Sequence, residues 1–136
     1  MNTTTPDIPH TSLSAGRIIY RLLSEHPYIR EVATQVFPVA ANEAGLPYVA
    51  FRRAALEHDP AKGRGADTVV YDVRCYAATY LESVELAEAV RDALDYQTAA
   101  DETTGIRMRS CYLSATEPEV SDSDAYIQTL KFTIRI

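Results

Sequence analysis

The residue types that could carry chemistry are spread thinly along this chain. Glu57, His58 and Asp59 are consecutive. Consecutive side chains of a regular strand alternate between its two faces, so these three cannot converge on one metal ion or one substrate. The other histidines, His10 and His26, fall in segments that we expect at the surface. The spacing therefore predicts no metal site, and no cofactor motif accompanies it.

Nucleophilic side chains are present, but none lies in a sequence context that would activate it. Ser110 and Ser114 belong to a strand pattern rather than to a Gly-x-Ser-x-Gly elbow. Cys75 and Cys111 each lack a second cysteine close in sequence, which excludes a zinc knuckle and a Cys-x-x-Cys redox motif. We expect both thiols to be buried and free. We also expect that the protein is not an enzyme.

A short basic loop is the segment most suited to contact a partner. Residues 58–65 contain one proline and two glycines, which favour a long exposed hairpin loop over a strand. The Gly-Arg-Gly at 63–65 is too short for a phosphate-binding loop, because no Lys-Ser/Thr follows it and it does not open a helix. Lys62 and Arg64 would face an acidic partner surface, a phosphate, or only solvent. The candidate partner-contact residues are His58, Asp59, Lys62, Gly63, Arg64 and Gly65.

Two helices are predicted to support the rest of the chain. The first begins near Ser12, a favourable N-cap, and ends at Pro27. The second begins at Thr79, which forms a capping box with Glu82. The residues expected on the inner faces are Ala15, Ile18, Ile19, Leu22 and Leu23 in the first helix, and Val84, Ala87, Val90, Arg91 and Leu94 in the second. The acids on the outer side of the second helix, which we interpret as solvated rather than as a metal cluster, are Glu85, Glu88, Asp92 and Asp95.

Alternating apolar and polar residues predict the strands. We expect strands at residues 48–57, 68–77 and 106–115, a final strand that reaches residue 136, and a short strand within 29–37. The strand at 68–77 alternates most cleanly and should lie at the sheet centre, while residues 38–47 read as a surface connection. In the strand at 48–57, Val49 and Phe51 should share one face, with Leu56 on the other. The last two strands should pair antiparallel.

These elements predict an α+β fold, with a mainly antiparallel sheet of about four to five strands and two helices packed on it. The 136 residues suit one domain, which we place at residues 12–136 after a flexible N-terminal tail at 1–11. No apolar run approaches the ~20 residues that span a membrane, so we expect a soluble cytoplasmic protein. A net charge of −6 argues against direct nucleic-acid recognition.

Five segments of the chain carry a family pattern. They read Val-Phe-Pro at 36–38, Leu-Pro-Tyr-Val-Ala-Phe at 46–51 and Tyr-Asp-Val-Arg-Cys-Tyr-Ala at 71–77, followed by the helix at 81–94 and the closing strand at 126–135. Together with the glycine-containing loop, this pattern resembles the tail completion proteins of long-tailed bacteriophages, which are related to tail terminators. The similarity runs over nearly the whole of residues 12–136.

The resemblance implies a structural protein of a phage or prophage tail. Such proteins assemble as a ring, commonly a hexamer, that caps the tail tube and forms the surface to which the head connector joins. The implied partners are further copies of the chain, the tail tube protein and the head–tail connector proteins, first in the host cytoplasm and then in the virion tail. A ring requires contacts between different patches of neighbouring subunits, and the basic loop is our candidate for one of them.

Two alternatives remain open on the sequence. The first is another head–tail joining or minor tail component with the same small fold, which would bind the portal end rather than the tail end. The second is a small enzyme or ligand-binding domain, which would need converging polar groups beneath the second helix.

Overall fold

The computed structural model describes residues 5–38, 45–122 and 124–136, without the side chain of Arg64. Three α-helices and eight strands follow one another in the α+β arrangement that the sequence predicts. The helices are α1 (Gly16–Glu25), α2 (Pro27–Val32) and α3 (Tyr80–Leu94). The strands are β1 (Val36–Pro38), β2 (Tyr48–His58), β3 (Asp67–Ala77), β4 (Ala99–Asp101), β5 (Ile106–Met108), β6 (Ser110–Thr116), β7 (Val120–Ser121) and β8 (Tyr126–Arg135).

Six strands form the main sheet. Its order is β1-β2-β3-β8-β6, and β7 also pairs with β8. The pairing of β1 with β2 is parallel and every other pairing is antiparallel. The central position of β3 and the antiparallel pairing of the last long strands are therefore confirmed. The expected strand at 106–115 is divided at Arg109, because β5 pairs with β4 in a separate ribbon while β6 joins the main sheet.

One face of the sheet carries the core. Within the described residues, all three helices contribute to a single apolar cluster against this face. It contains Val69 and Val73 of β3 and Phe132 of β8, all fully buried. The opposite face of the same strands carries Asp72, Lys131 and Thr133, and no described helix lies on it. We call these the covered face and the open face.

The first helical segment begins differently from the prediction, but it ends before Pro27 as predicted. Thr11, not Ser12, caps a 3₁₀ turn at Ser12–Ser14, and α1 follows from Gly16. The predicted inner residues of α1 do pack on the core. Pro27 ends α1 but also opens α2, because proline lacks the N–H that the first helical turn leaves unbonded. The expected strand within 29–37 is thus reduced to β1 at its end.

Because of a β-bulge, the residues of β2 beyond Arg53 lie on the opposite face of the sheet from the one predicted. The register with β3 shifts between Arg53 and Ala55, and one inserted residue moves everything beyond it to the other face. Leu56 consequently shares the covered face with Val49 and Phe51 and packs against the core, contrary to the prediction.

The capping of α3 is confirmed, but its buried side is rotated. The Thr79 hydroxyl accepts a hydrogen bond from the Glu82 N–H at 3.2 Å. Arg91 is exposed and Val84 only half-buried. The buried positions are Ser83, Leu86, Ala89, Val90, Ala93 and Leu94.

Candidate functional site

The hairpin between β2 and β3 forms one end of the sheet. Its connection at Pro60–Gly65 consists of short 3₁₀ turns interrupted by a kink at Gly63. The Asp59 carboxylate accepts a hydrogen bond from the Ala61 N–H at 3.0 Å and so caps the first of these turns. Gly63 has a φ of 77°, a conformation that a residue with a Cβ adopts only with strain. The predicted loop is exposed and is folded into a helical turn.

The base of the hairpin is tied to the N-terminal turn through Asp67. Asp67 is 8% exposed, and its carboxylate accepts a hydrogen bond from the Ser12 hydroxyl and contacts His58 Nδ1 at 2.5 Å. The hydrogen bond from Ser12, and next that from His58, lowers the pKa of Asp67 below its usual range despite burial. This cluster fixes the hairpin base against the chain that precedes α1.

The order of groups in this cluster argues against nucleophilic catalysis. Activation of a serine requires a base beside its hydroxyl and a third group that orients this base. Here Ser12 donates to the carboxylate of Asp67, and His58 lies on the other carboxylate oxygen. The base beside the Ser12 hydroxyl is the Asp67 carboxylate, whose lowered pKa makes it a weak proton acceptor, so the arrangement holds two chain segments together.

A cleft opens beside the hairpin and collects positive charge. It has a volume of about 230 Å³, and its lining includes the cations Lys62, Arg109 and Arg135 together with the carboxylates of Asp59 and Asp67, both of which accept internal hydrogen bonds. An adjoining cleft of about 410 Å³ lies between residues 9–12 and a wall that includes Arg107 and Arg109. All four cationic side chains are exposed, and none forms an ion pair within the described part of the chain. We call Lys62, Arg107, Arg109 and Arg135 the basic end.

Three members of the basic end were missed from the sequence. Arg107, Arg109 and Arg135 lie far from Lys62 along the chain and read as ordinary strand residues. They meet because Arg135 pairs with Thr68 of β3 and with Ser110 of β6, while the Arg109 N–H donates to the Arg135 carbonyl at 2.7 Å. Only the strand register could have brought them together.

The structure separates the predicted contact residues into different roles. His58 and Asp59 make internal contacts that shape the hairpin, and Gly63 provides its turn. Lys62 is the described candidate whose charged group is exposed on the cleft. The side chain of Arg64 lies outside the described part of the structure, and Gly65 has no side chain.

The acids of α3 do not form a ligand cluster. Glu85, Glu88 and Asp92 are exposed. Asp95 is half-buried instead, where its carboxylate accepts hydrogen bonds from the Leu113 N–H at 2.8 Å and from Arg91 Nε at 3.2 Å. Among the residues that the structure describes, no group of three His, Cys, Asp or Glu side chains is placed to hold a metal ion.

The thiols and strand serines make structural contacts. Cys75 and Cys111 are buried and free, as expected. Burial raises the pKa of the Cys75 thiol strongly, and burial together with Asp95 raises the pKa of Cys111 to about 12. Neither is a reactive thiolate near neutral pH. Ser114 donates to the Lys131 carbonyl at 3.1 Å.

His26 is less exposed than the sequence suggested. His10 is at the surface, but the His26 side chain is only 16% exposed, and its Nε2 lies 2.8 Å from Asp92 Oδ2. Its Nδ1 is buried and has no hydrogen-bond partner among the described residues. His26 connects the junction of α1 and α2 with α3, which the sequence pattern gave no means to detect.

Comparisons with known proteins agree with this fold. The family described as tail completion protein gp17 matches residues 17–136. The solved structure of the bacteriophage SPP1 gp17 protein superimposes with a TM-score of 0.57, covering 92% of this chain and 90% of the other at 14% identity. No curated protein matches the chain. None of the described helices is long and apolar enough to cross a membrane.

Proposed function

Since this chain belongs to the tail completion protein gp17 family, we propose that it forms a ring that caps the tail tube of a phage or prophage and helps to join tail to head. Its role as a structural component of a phage tail follows from the family match over residues 17–136, which is the observation that carries the proposal. We further propose that the ring is a hexamer and that it lies at the end of the tail tube.

The edges of the sheet support assembly. Among the described strands, β1 and β6 each pair with a single strand and lie at opposite edges of the sheet, with β7 on the same side of β8 as β6. Unpaired strand edges offer N–H and C=O groups to a neighbouring chain. β1 has only three residues, whereas β6 has seven, so β6 is the longer of the two edges. A cyclic ring uses a different patch on each side of a subunit, and this chain has two unlike edges and two unlike faces.

The proposed partners follow from the same role. They are other copies of this chain, the tail tube protein and the head–tail connector proteins, met in the host cytoplasm and retained in the virion tail. We also propose that residues 12–136 form a single domain without catalytic activity. The exposed and irregular residues 5–10 support that boundary.

Electron microscopy of tails tests the proposal. Purified tail tubes from the same phage would be incubated with the gold-labelled protein, and purified connectors would be incubated in parallel. We expect gold at one end of each tube, with a ring-shaped density there. Binding to the portal end of the connector alone would show a different head–tail joining component, and binding to neither would overturn the proposal.

A further inference from the structure

The two ends of β8 carry opposite charge. The basic end surrounds Arg135 at the last residue of β8. At the first residue, Tyr126, β8 meets the segment at 117–124 through its pairing with Ser121. That segment carries four acids: Glu117, Glu119, Asp122 and Asp124. We call them the acidic end. A strand rises about 3.3 Å per residue, so the nine steps from Tyr126 to Arg135 separate the two ends by roughly 30 Å.

The acidic end remains charged and accessible. Glu119, Asp122 and Asp124 are exposed, and none of the three forms an ion pair within the described part of the chain. Glu117 differs, since it contacts Lys131 Nζ at 3.3 Å. Hydrogen bonds from Gln128 and then Tyr80 lower the pKa of Glu119, so its carboxylate is ionised near neutral pH.

Apolar side chains project beside these acids. Leu81 is 72% exposed and Val120 is 53% exposed. Tyr80 and Tyr126 pack edge to face, with ring centroids 6.2 Å apart, and remain partly exposed. Aromatic and aliphatic groups next to charges are common at protein interfaces. The basic end is concave by contrast, because two clefts open on it.

We propose that the acidic end of one copy docks on the basic end of the next copy, so that Lys62, Arg109 and Arg135 face Glu119 and Asp124 of the neighbour. The occupant is a second copy of this chain because the chain itself carries the complementary charge at the opposite end of the same strand. Such a contact joins unlike patches, as a closed ring requires. The inference rests on the proposed ring and names the surfaces through which its subunits meet.

Variants that reverse charges at the two ends can distinguish this contact from a general effect of net charge. One variant, Lys62→Glu with Arg109→Glu, places carboxylates at two positions of the basic end, where they face the acids of the neighbour. A second, Glu119→Lys with Asp124→Lys, places lysines at two positions of the acidic end, where they face the cations of the neighbour. All four side chains are exposed and none forms an ion pair within the described residues. Glu119 also accepts hydrogen bonds from Gln128, at 2.6 Å, and from Tyr80, which a lysine loses, so circular dichroism first checks that the second variant is folded. The matched control is Glu25→Lys with Glu88→Lys, two exposed acids away from both ends, which changes the net charge by the same amount as the second variant.

Size-exclusion chromatography with light scattering provides the measurement. We expect each variant alone to shift from ring to monomer and the control to behave as wild type. An equimolar mixture of the two variants should assemble again. In a ring of alternating copies, the new lysines of one variant face the new glutamates of the other. Rings formed by either variant alone, or a mixture that stays monomeric while wild type forms rings, would overturn this inference and leave the proposed ring standing. A monomeric wild type at every concentration would overturn both.

A cross-link gives a second and independent readout. In the variant Lys62→Cys with Asp124→Cys, the introduced thiols are accessible, whereas Cys75 and Cys111 are buried. A short bismaleimide should join neighbouring subunits into a ladder, and each single-cysteine variant should give no more than dimers.

A short DNA duplex tests the alternative occupant of the basic end. Retained rings together with loss of duplex binding in Lys62→Glu with Arg109→Glu would assign the basic end to a nucleic acid and overturn the inference.

Discussion

On β3, Val69 and Val73 point to the covered face, whereas Asp72 between them points to the open face. On β8, the neighbours Phe132 and Lys131 divide in the same way. The covered face excludes water from a continuous apolar cluster. The open face keeps charges, with Asp72 only 2% exposed and held by Lys131 Nζ at 3.0 Å and Arg52 Nε at 3.6 Å. The same strands thus supply folding energy on one face and leave polar surface on the other.

The largest effect should come from truncation on the covered face. Phe132 is fully buried, so Phe132→Ala leaves a cavity and should lower the free energy of unfolding by about 3–5 kcal/mol. Its neighbour on the open face provides the control, because Thr133→Ala removes only half-buried atoms and should cost less than about 1 kcal/mol. Urea denaturation followed by circular dichroism measures both. Equal costs would contradict the contrast between the faces.

An intermediate effect is expected at Asp72. The change Asp72→Asn removes the buried charge that faces Lys131 and Arg52, whose side chains are 30% and 52% exposed. These partners can return to water, so we expect a loss of about 1–3 kcal/mol. Lys131→Met should lower the free energy of unfolding by more than this, because it leaves the buried Asp72 without its closest cation. The same denaturation experiment ranks the two variants, and a stabilised Lys131→Met would show that this ion pair opposes folding.

A smaller, pH-dependent effect belongs to Asp67. Its pKa in the folded protein lies below the usual value because of the hydrogen bond from Ser12. The stabilisation is therefore complete above the unfolded pKa of about 3.9 and is lost as the pH falls through the lower folded pKa. Wild type should lose stability between about pH 4 and pH 2 more steeply than Asp67→Asn. Thermal melts across that range measure the difference, and parallel curves would exclude this role for Asp67.

Removal of residues 1–10 should have the smallest effect. Residues 5–10 are exposed and belong to no helix or strand. Thr11 remains to cap the 3₁₀ turn, and Ser12 remains to bond Asp67. The free energy of unfolding of the shortened chain should lie within about 0.5 kcal/mol of that of the full chain. A clearly larger loss would place part of the N-terminal segment inside the domain and correct the boundary at residue 12.

Periodicity predicted the elements that bury a regular stripe. The central strand β3, the closing strand β8 and the capped start of α3 follow directly from alternation and from the Thr79 signal. The bulge in β2 could not be predicted, because an inserted residue leaves no mark in the composition of a strand. The rotation of α3 was missed since Ser83 and Ala89 carry little hydrophobic signal although they are buried.

The proposed interaction surface could be anticipated only where it is continuous in sequence. Lys62 belongs to a recognisable loop, but Arg107, Arg109 and Arg135 join it through strand pairing. The links of His58 to Asp67 and of Ser12 to Asp67 bridge different elements in the same way. Local patterns specify elements, whereas charges gathered at one end of a sheet depend on register.

Native mass spectrometry of the wild-type protein over a wide range of concentration tests the central claim most directly. A closed ring predicts one oligomer of fixed copy number in equilibrium with monomer, because closure satisfies both patches of every subunit. A ladder of sizes that grows with concentration would show open-ended association, and monomer alone at every concentration would show that these surfaces do not bring copies of the chain together. Either result would contradict the account.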